Sequence, residues 1–176
     1  MTRARRALLV GGAAAAVGTL AAAGAWRASV SLGRARRENR AIERLLAVYR
    51  AQTRYYAIER GDGVRRYAPT LEELAAKAPA ERGGHDLDVI AAASSATRAL
   101  EGYWFALVER EGGPDWDGQS FAAVAVPAEY PRSGRRTFAI DQRGRLWAHE
   151  TEGETPGPMP VEPTEAGWDE LAAPGS

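Results

Sequence analysis

The chain has 176 residues and a formal net charge of zero, from 23 basic and 23 acidic residues. That length bounds it to one domain with a modest core plus appendages. Cysteine is absent, which excludes disulfides, thiol catalysis, lipid-modified Cys and Cys-ligated metals.

The zero net charge is a cancellation between segments. Residues 1–60 hold twelve Arg and three acids, whereas residues 150–176 hold seven acids and no basic residue. The middle of the chain is close to balanced. This asymmetry predicts three parts with separate environments: an export or anchor segment at 1–30, a domain at 31–149 and an acidic tail at 150–176.

The first element is Ala7–Trp26, twenty residues without a charge between Arg6 and Arg27. Twenty residues suffice to cross a bilayer as a helix. Nine of them are Ala and four are Gly, and only five are Leu or Val. At translocon values those five supply about −2 kcal/mol, which makes a marginal anchor. The flanks fit export. Arg3, Arg5 and Arg6 precede an apolar run, and Ala21–Ala23 and Ala23–Ala25 both offer a small-x-small cleavage site. Arg5 and Arg6 leading into Ala7, Leu8 and Leu9 resemble a twin-arginine signal. Cleavage near Ala23 or Ala25 and retention as an anchor are both compatible with these residues. The Arg residues from Arg27 to Arg44 pull the other way, since retained positive flanks favour the cytoplasmic side.

From Arg34 to Arg60 the period is helical. Ile42, Leu45, Leu46, Tyr49, Thr53 and Tyr56 form the expected apolar stripe, and Gly61-Asp62-Gly63 stops it. Thr70 with Glu73 three residues on is a capping box, so a short helix is predicted from Leu71 to Ala78. Asp86–Leu100 reads as a further helix or half-ordered segment.

The period then changes. Tyr103–Val108, Phe121–Val126, Thr137–Ile140 and Arg145–His149 read as four strands with short connections, an antiparallel meander. The stripe bearing Tyr49 and Tyr56 is its predicted cover. The tail carries five Pro and no core of its own. Within it, Trp168 and Leu171 share an i, i+3 spacing that suits one short docking turn.

A long N-terminal helix that is apolar at its start and feeds a small antiparallel sheet resembles type IV pilins and pseudopilins. The blocks "AIERLLAVYRAQTRYYA", "YAPTLEELA", "GYWFAL" and "FAAVAVPAEYPRSGRRTFAIDQRGRLW" are similar to successive blocks of pilin-like exported bacterial proteins. An uncharacterised exported family, built on a domain of unknown function, shares the block from Gly102 to Gly144. The resemblance implies an α+β, pilin-like fold: a long helix on a four-stranded meander, with one or two short helices between. Pilins are processed after a Gly that precedes Phe or Met, and no Gly here does so. Glu38 lies five residues past Gly33, but the apolar stretch precedes that point. The resemblance therefore implies pilin-like architecture without pilus assembly.

Several residues could carry chemistry. His85, Asp86 and Asp88 could ligate a metal, although Asp before a helix also serves as a cap. Asp115, Asp117 and Gly118 resemble part of a calcium loop whose remaining ligand positions are missing. His149 beside Glu150 is read as a surface pair, and Asp141 as a turn residue. Glu101, Glu109 and Glu129 could supply paired carboxylates for glycoside chemistry, but no spacing brings them together. The Arg run 34–54 could meet nucleic acid or anionic lipid, and its place after an apolar segment favours lipid. The sheet aromatics read as packing. No G-x-S-x-G or P-loop motif is present.

These residues point to a non-enzymatic protein of the periplasm or cell envelope, with a structural or protein–protein role. Its expected partners are the inner membrane, through the N-terminal segment, and other envelope proteins. No nucleic acid, cofactor, metal or catalytic residue is expected. The assigned functional positions are Arg5, Arg6, Leu8, Leu9, Ala23 and Ala25, all in the export segment. The alternative is a periplasmic or secreted enzyme, or a small-ligand or carbohydrate-binding protein, on the same fold.

Overall fold

The computed structural model describes residues 31–58, 63–77, 90–93, 99–108, 118–150 and 167–172. The segment read from the sequence as an export signal or anchor, with Arg5, Arg6, Leu8, Leu9, Ala23 and Ala25, lies outside the described residues. So do His85, Asp86, Asp88, Glu109, Asp115 and Asp117. The chain divides into two units, Met1–Arg36 and Arg37–Ser176; of the first only residues 31–36 are described, and the core and the site lie in the second.

Helix α1 is described over residues 31–57. Its buried row runs through Glu38, Ala41, Leu45, Val48, Gln52 and Tyr55, at alternating three- and four-residue spacing. This row is rotated from the expected stripe. Thr53 is exposed, and Ile42, Leu46 and Tyr49 flank the core as partly buried side chains. Two of the buried residues are polar and one is Ala, so the row is poorly visible to a hydropathy pattern.

Helix α2 spans Leu71–Lys77 and buries Leu71 and Leu74. It starts as the sequence predicts. Thr70 Oγ1 accepts a hydrogen bond from the Glu73 N–H at 3.1 Å, and Glu72 and Glu73 occupy its electropositive first turn. A helical turn at 90–93 contributes buried Ile90 and Ala93.

Five strands follow: β1 Tyr103–Val108, β2 Ala122–Pro127, β3 Arg136–Asp141, β4 Leu146–Glu150 and β5 Asp169–Leu171. They form one antiparallel sheet in chain order. The expectation of four strands is therefore one short. Trp168 and Leu171 belong to an extended return of the tail onto β4, with Leu146 opposite Leu171. Three residues are too few for a sequence period to distinguish strand from turn.

Alternation along the strands makes two faces. Tyr103, Ala123, Ala125, Phe138, Ile140, Leu146 and Ala148 pack with Leu45, Val48 and Tyr55 of α1 into the main core. Each large side chain fully buried there contributes roughly 1.5–3 kcal/mol. On the other face Ala122, Val124, Ala139, Trp147 and Trp168 form a second buried cluster. The meander is thus covered on both faces of its central strands.

Candidate functional site

Several described polar residues meet at one junction, between the N-terminal part of α1 and the connection from β2 to β3. The connection reads Ala128 to Arg135 and contains the Tyr130–Pro131 cis peptide. Its inner turn is closed by Ser133. The Ser133 N–H donates to the Glu129 carbonyl at 2.8 Å, and Ser133 Oγ bonds both the Glu129 N–H and carbonyl at 2.9 Å.

Two successive α1 residues grip this loop. Arg37 donates from Nε to the Ser133 carbonyl at 3.1 Å and from an Nη to the Arg132 carbonyl at 2.6 Å. Glu38 is 7% exposed. It accepts the Arg135 N–H at 3.1 Å on one oxygen and the Arg136 guanidinium at 2.8 and 3.2 Å on the other. A buried carboxylate with three donors repays its desolvation.

Tyr103 completes the junction from β1. Its hydroxyl donates to the Arg136 carbonyl at 3.2 Å, and its ring lies 6.1 Å from that of Phe138. Burial pushes this hydroxyl well above the ordinary tyrosine range; Glu38 adds to the rise, and Arg136 and Arg37 oppose it. Gly134 passes so close to the hydroxyl that a Cβ there would overlap it. The loop backbone and the ring thus need each other's shape.

Beside this lies the turn into β1. Leu100 and Tyr103 exchange two backbone hydrogen bonds, 2.9 and 3.0 Å long. Glu101 and Gly102 between them both have positive φ, 53° and 90°, as in a type I′ turn. Gly102 suits this, whereas Glu101 is held left-handed at a cost of about 1 kcal/mol. Its carboxylate is met by Arg40 at 3.2 Å and Arg44 at 3.4 Å, both from α1.

The remaining sequence candidates are dispersed. Asp141 is buried and accepts the Arg143 and Arg145 N–H groups, each at 3.0 Å, and the Arg145 guanidinium at 2.8 Å. It is the turn residue the sequence suggests. Glu129 is exposed and pairs with Arg132 at 3.5 Å. His149 stacks on Trp168 at 5.3 Å, its Nδ1 3.0 Å from the Gly167 carbonyl. Glu101 and Glu129 each keep their own Arg partners. Among the described residues no group of three or more His, Cys, Asp or Glu could hold a metal ion, and no helix is long and apolar enough to cross a membrane.

The sequence reading had no structural role for Arg37, Glu38 or Gly134. Arg37 and Glu38 lie 95 or more residues from their partners, beyond the reach of any periodicity. The available signal was local: an acid on the helix's buried row and a Ser-Gly-Arg-Arg run before a strand.

Residues 27–157 match the family described as "Protein of unknown function (DUF2950)". The match covers 131 of the 176 residues and includes α1, α2 and strands β1 to β4. No curated protein and no solved structure matches this chain.

Proposed function

We propose that this chain, which belongs to the DUF2950 family of proteins of unknown function, is a non-enzymatic scaffold of the cell envelope with a pilin-like domain. One observation carries the reading: the junction's charged groups pair with one another, fastening the loop 128–135 and the turn 100–103 to α1. The Glu38 carboxylate meets Arg136 and the Arg135 amide, and Glu101 meets Arg40 and Arg44. Such pairs hold geometry; Glu101 meets both Arg residues through a single oxygen, and its other oxygen is buried with no hydrogen-bond partner among the described residues.

The pilin likeness rests on architecture, a long helix packed on an antiparallel meander. Assembly into a pilus is not part of the proposal. The acid at the expected place, Glu38, is engaged within its own chain. The N-terminal segment directs export, either cleaved near Ala23 or Ala25 or kept as an inner-membrane anchor. Its length and its Arg3, Arg5 and Arg6 flank support that assignment.

The test is the intact mass of the mature protein, combined with fractionation and alkaline extraction of membranes. An exported protein, clipped near residue 25 or resisting extraction, is expected. A cytosolic chain with residues 1–30 intact and no membrane association overturns the reading.

A further inference from the structure

Strand β5 is joined to the sheet unlike the others. It has three residues, whereas its neighbour β4 has five. Two antiparallel neighbours can be joined by a two-residue turn. Here residues 151–166, sixteen of them, separate Glu150 at the end of β4 from Gly167. β5 also lies beyond residues 27–157, the part of the chain that matches the family.

The contacts that hold β5 are all its own. The Asp141 N–H donates to the Arg145 carbonyl at 3.1 Å, which sets the hydrogen-bond phase of β4. In that phase Leu146 and Ala148 turn their backbone groups away from β3, toward Leu171 and Asp169. Trp168 packs on one face of the sheet with Ala122, Val124, Ala139 and Trp147. Its ring also stacks on His149 at 5.3 Å, and His149 Nδ1 lies 3.0 Å from the Gly167 carbonyl. Leu171 packs on the other face, against the main core. Asp169 and Glu170 between them are exposed.

The segment thus grips the β4 edge with its backbone and with one apolar side chain on each face. That is how an extended peptide is recognised by a sheet edge: the ladder gives affinity, and alternate side chains give specificity. The edge therefore fits a bulky aromatic residue followed, three positions on, by an aliphatic one.

We propose that β5 is an exchangeable strand, and that the β4 edge of one copy takes the Gly167–Ala172 segment of a second copy in place of its own. The second copy's segment is identical, so it makes the same contacts, and the two dockings differ only in the tether. Sixteen residues span up to about 50 Å when extended, enough to reach another molecule. A tether of this kind holds the resident strand at about millimolar effective concentration. Exchange is therefore rare between dilute copies and favoured where copies are crowded together. Trading an identical element between protomers needs no new surface.

The probe is a fluorescent peptide of residues 164–176, titrated into the full chain and read by anisotropy. On the wild type it must displace the resident strand, so half-saturation should fall near about 1 mM. Trp168→Ala weakens the resident strand and leaves the β4 edge as it was. Peptide binding to that chain should be at least about tenfold tighter, because the competitor is weakened. Hydrogen exchange in the unaltered protein gives a second measurement. The Asp169 and Leu171 amides should exchange at least about a hundredfold faster than those of Val124 and Ala125 in β2, by local opening of β5 alone. Equal affinity of the peptide for the two chains overturns the proposal, and so do β5 amides as slow as those of β2. A peptide that itself carries Trp168→Ala and still binds as tightly overturns it too, since the edge would then accept any extended segment.

Discussion

The Glu38 carboxylate lies 2.8 Å from the guanidinium of Arg136, a residue 98 positions later in the chain. This pair, with the Arg135 amide on the other carboxylate oxygen, fastens the start of β3 to the first exposed turns of the domain helix. Arg136 also lies over the Phe138 ring, 5.3 Å from its centroid, so the guanidinium is positioned from two sides. The Arg136 side chain is 43% exposed and keeps access to water, whereas Glu38 does not.

Loss of Glu38 is therefore asymmetric. Glu38→Ala frees Arg136 to hydrate but strands the Arg135 N–H, and should cost about 1–3 kcal/mol. Glu38→Gln keeps an acceptor for that amide and should cost less. Urea unfolding midpoints of the two variants check the order.

Gly134 and Tyr103 should couple. Gly134→Ala drives a methyl into the Tyr103 hydroxyl, with an expected cost of about 1–3 kcal/mol. Tyr103→Phe loses the hydrogen bond to the Arg136 carbonyl, worth about 1 kcal/mol. In the double variant the hydroxyl oxygen, the nearest obstacle to the methyl, is gone, and the ring carbon 2.7 Å away remains. Its destabilisation should fall below the sum of the singles, a sign that a double-mutant cycle reads directly.

Gln52 performs a different anchoring. It is fully buried. Its Oε1 accepts the Ala68 N–H at 2.8 Å and its Nε2 donates to the Ala68 carbonyl at 2.9 Å. Side chain stands in for a strand here, tying the segment before α2 to α1. Gln52→Leu matches the volume roughly but orphans both backbone groups, and should cost about 2–4 kcal/mol. Hydrogen exchange at the Ala68 amide should accelerate in step with the lost stability.

Alkaline pH should destabilise the fold through two tyrosines. Burial raises Tyr103, with Glu38 contributing and Arg136 and Arg37 opposing. Burial also raises Tyr67, followed by Tyr56 and then Tyr49. Above about pH 10 the unfolded chain ionises these phenols while the folded chain still holds their protons. Unfolding then releases protons and is favoured as pH rises. The contribution is complete below pH 10 and declines above it toward the folded-state values. Stability measured at pH 9 and pH 11 should fall in the wild type, and Tyr103→Phe should flatten the fall.

Much of the architecture was legible in residue order. Thr70 and Glu73 announced α2 because a capping box is a local hydrogen bond between neighbours. Strands β1 to β4 were legible because their alternation is local, and Gly144 and Asp141 marked the turn between β3 and β4 through local backbone needs. The α1 stripe was misplaced because Glu38 and Gln52 count as solvent residues until a partner is known. β5 escaped notice because a three-residue strand exists only by pairing with β4.

By itself the sequence determined the class: helix first, meander after, basic start and acidic end, no thiol chemistry. Those properties depend on composition and on contacts between residues a few positions apart. Only the tertiary structure decided what Arg37, Glu38 and Gln52 are for. Each of those depends on groups brought together from 16 to 98 positions away. Their desolvation and pairing energies exist only once the chain has closed around them.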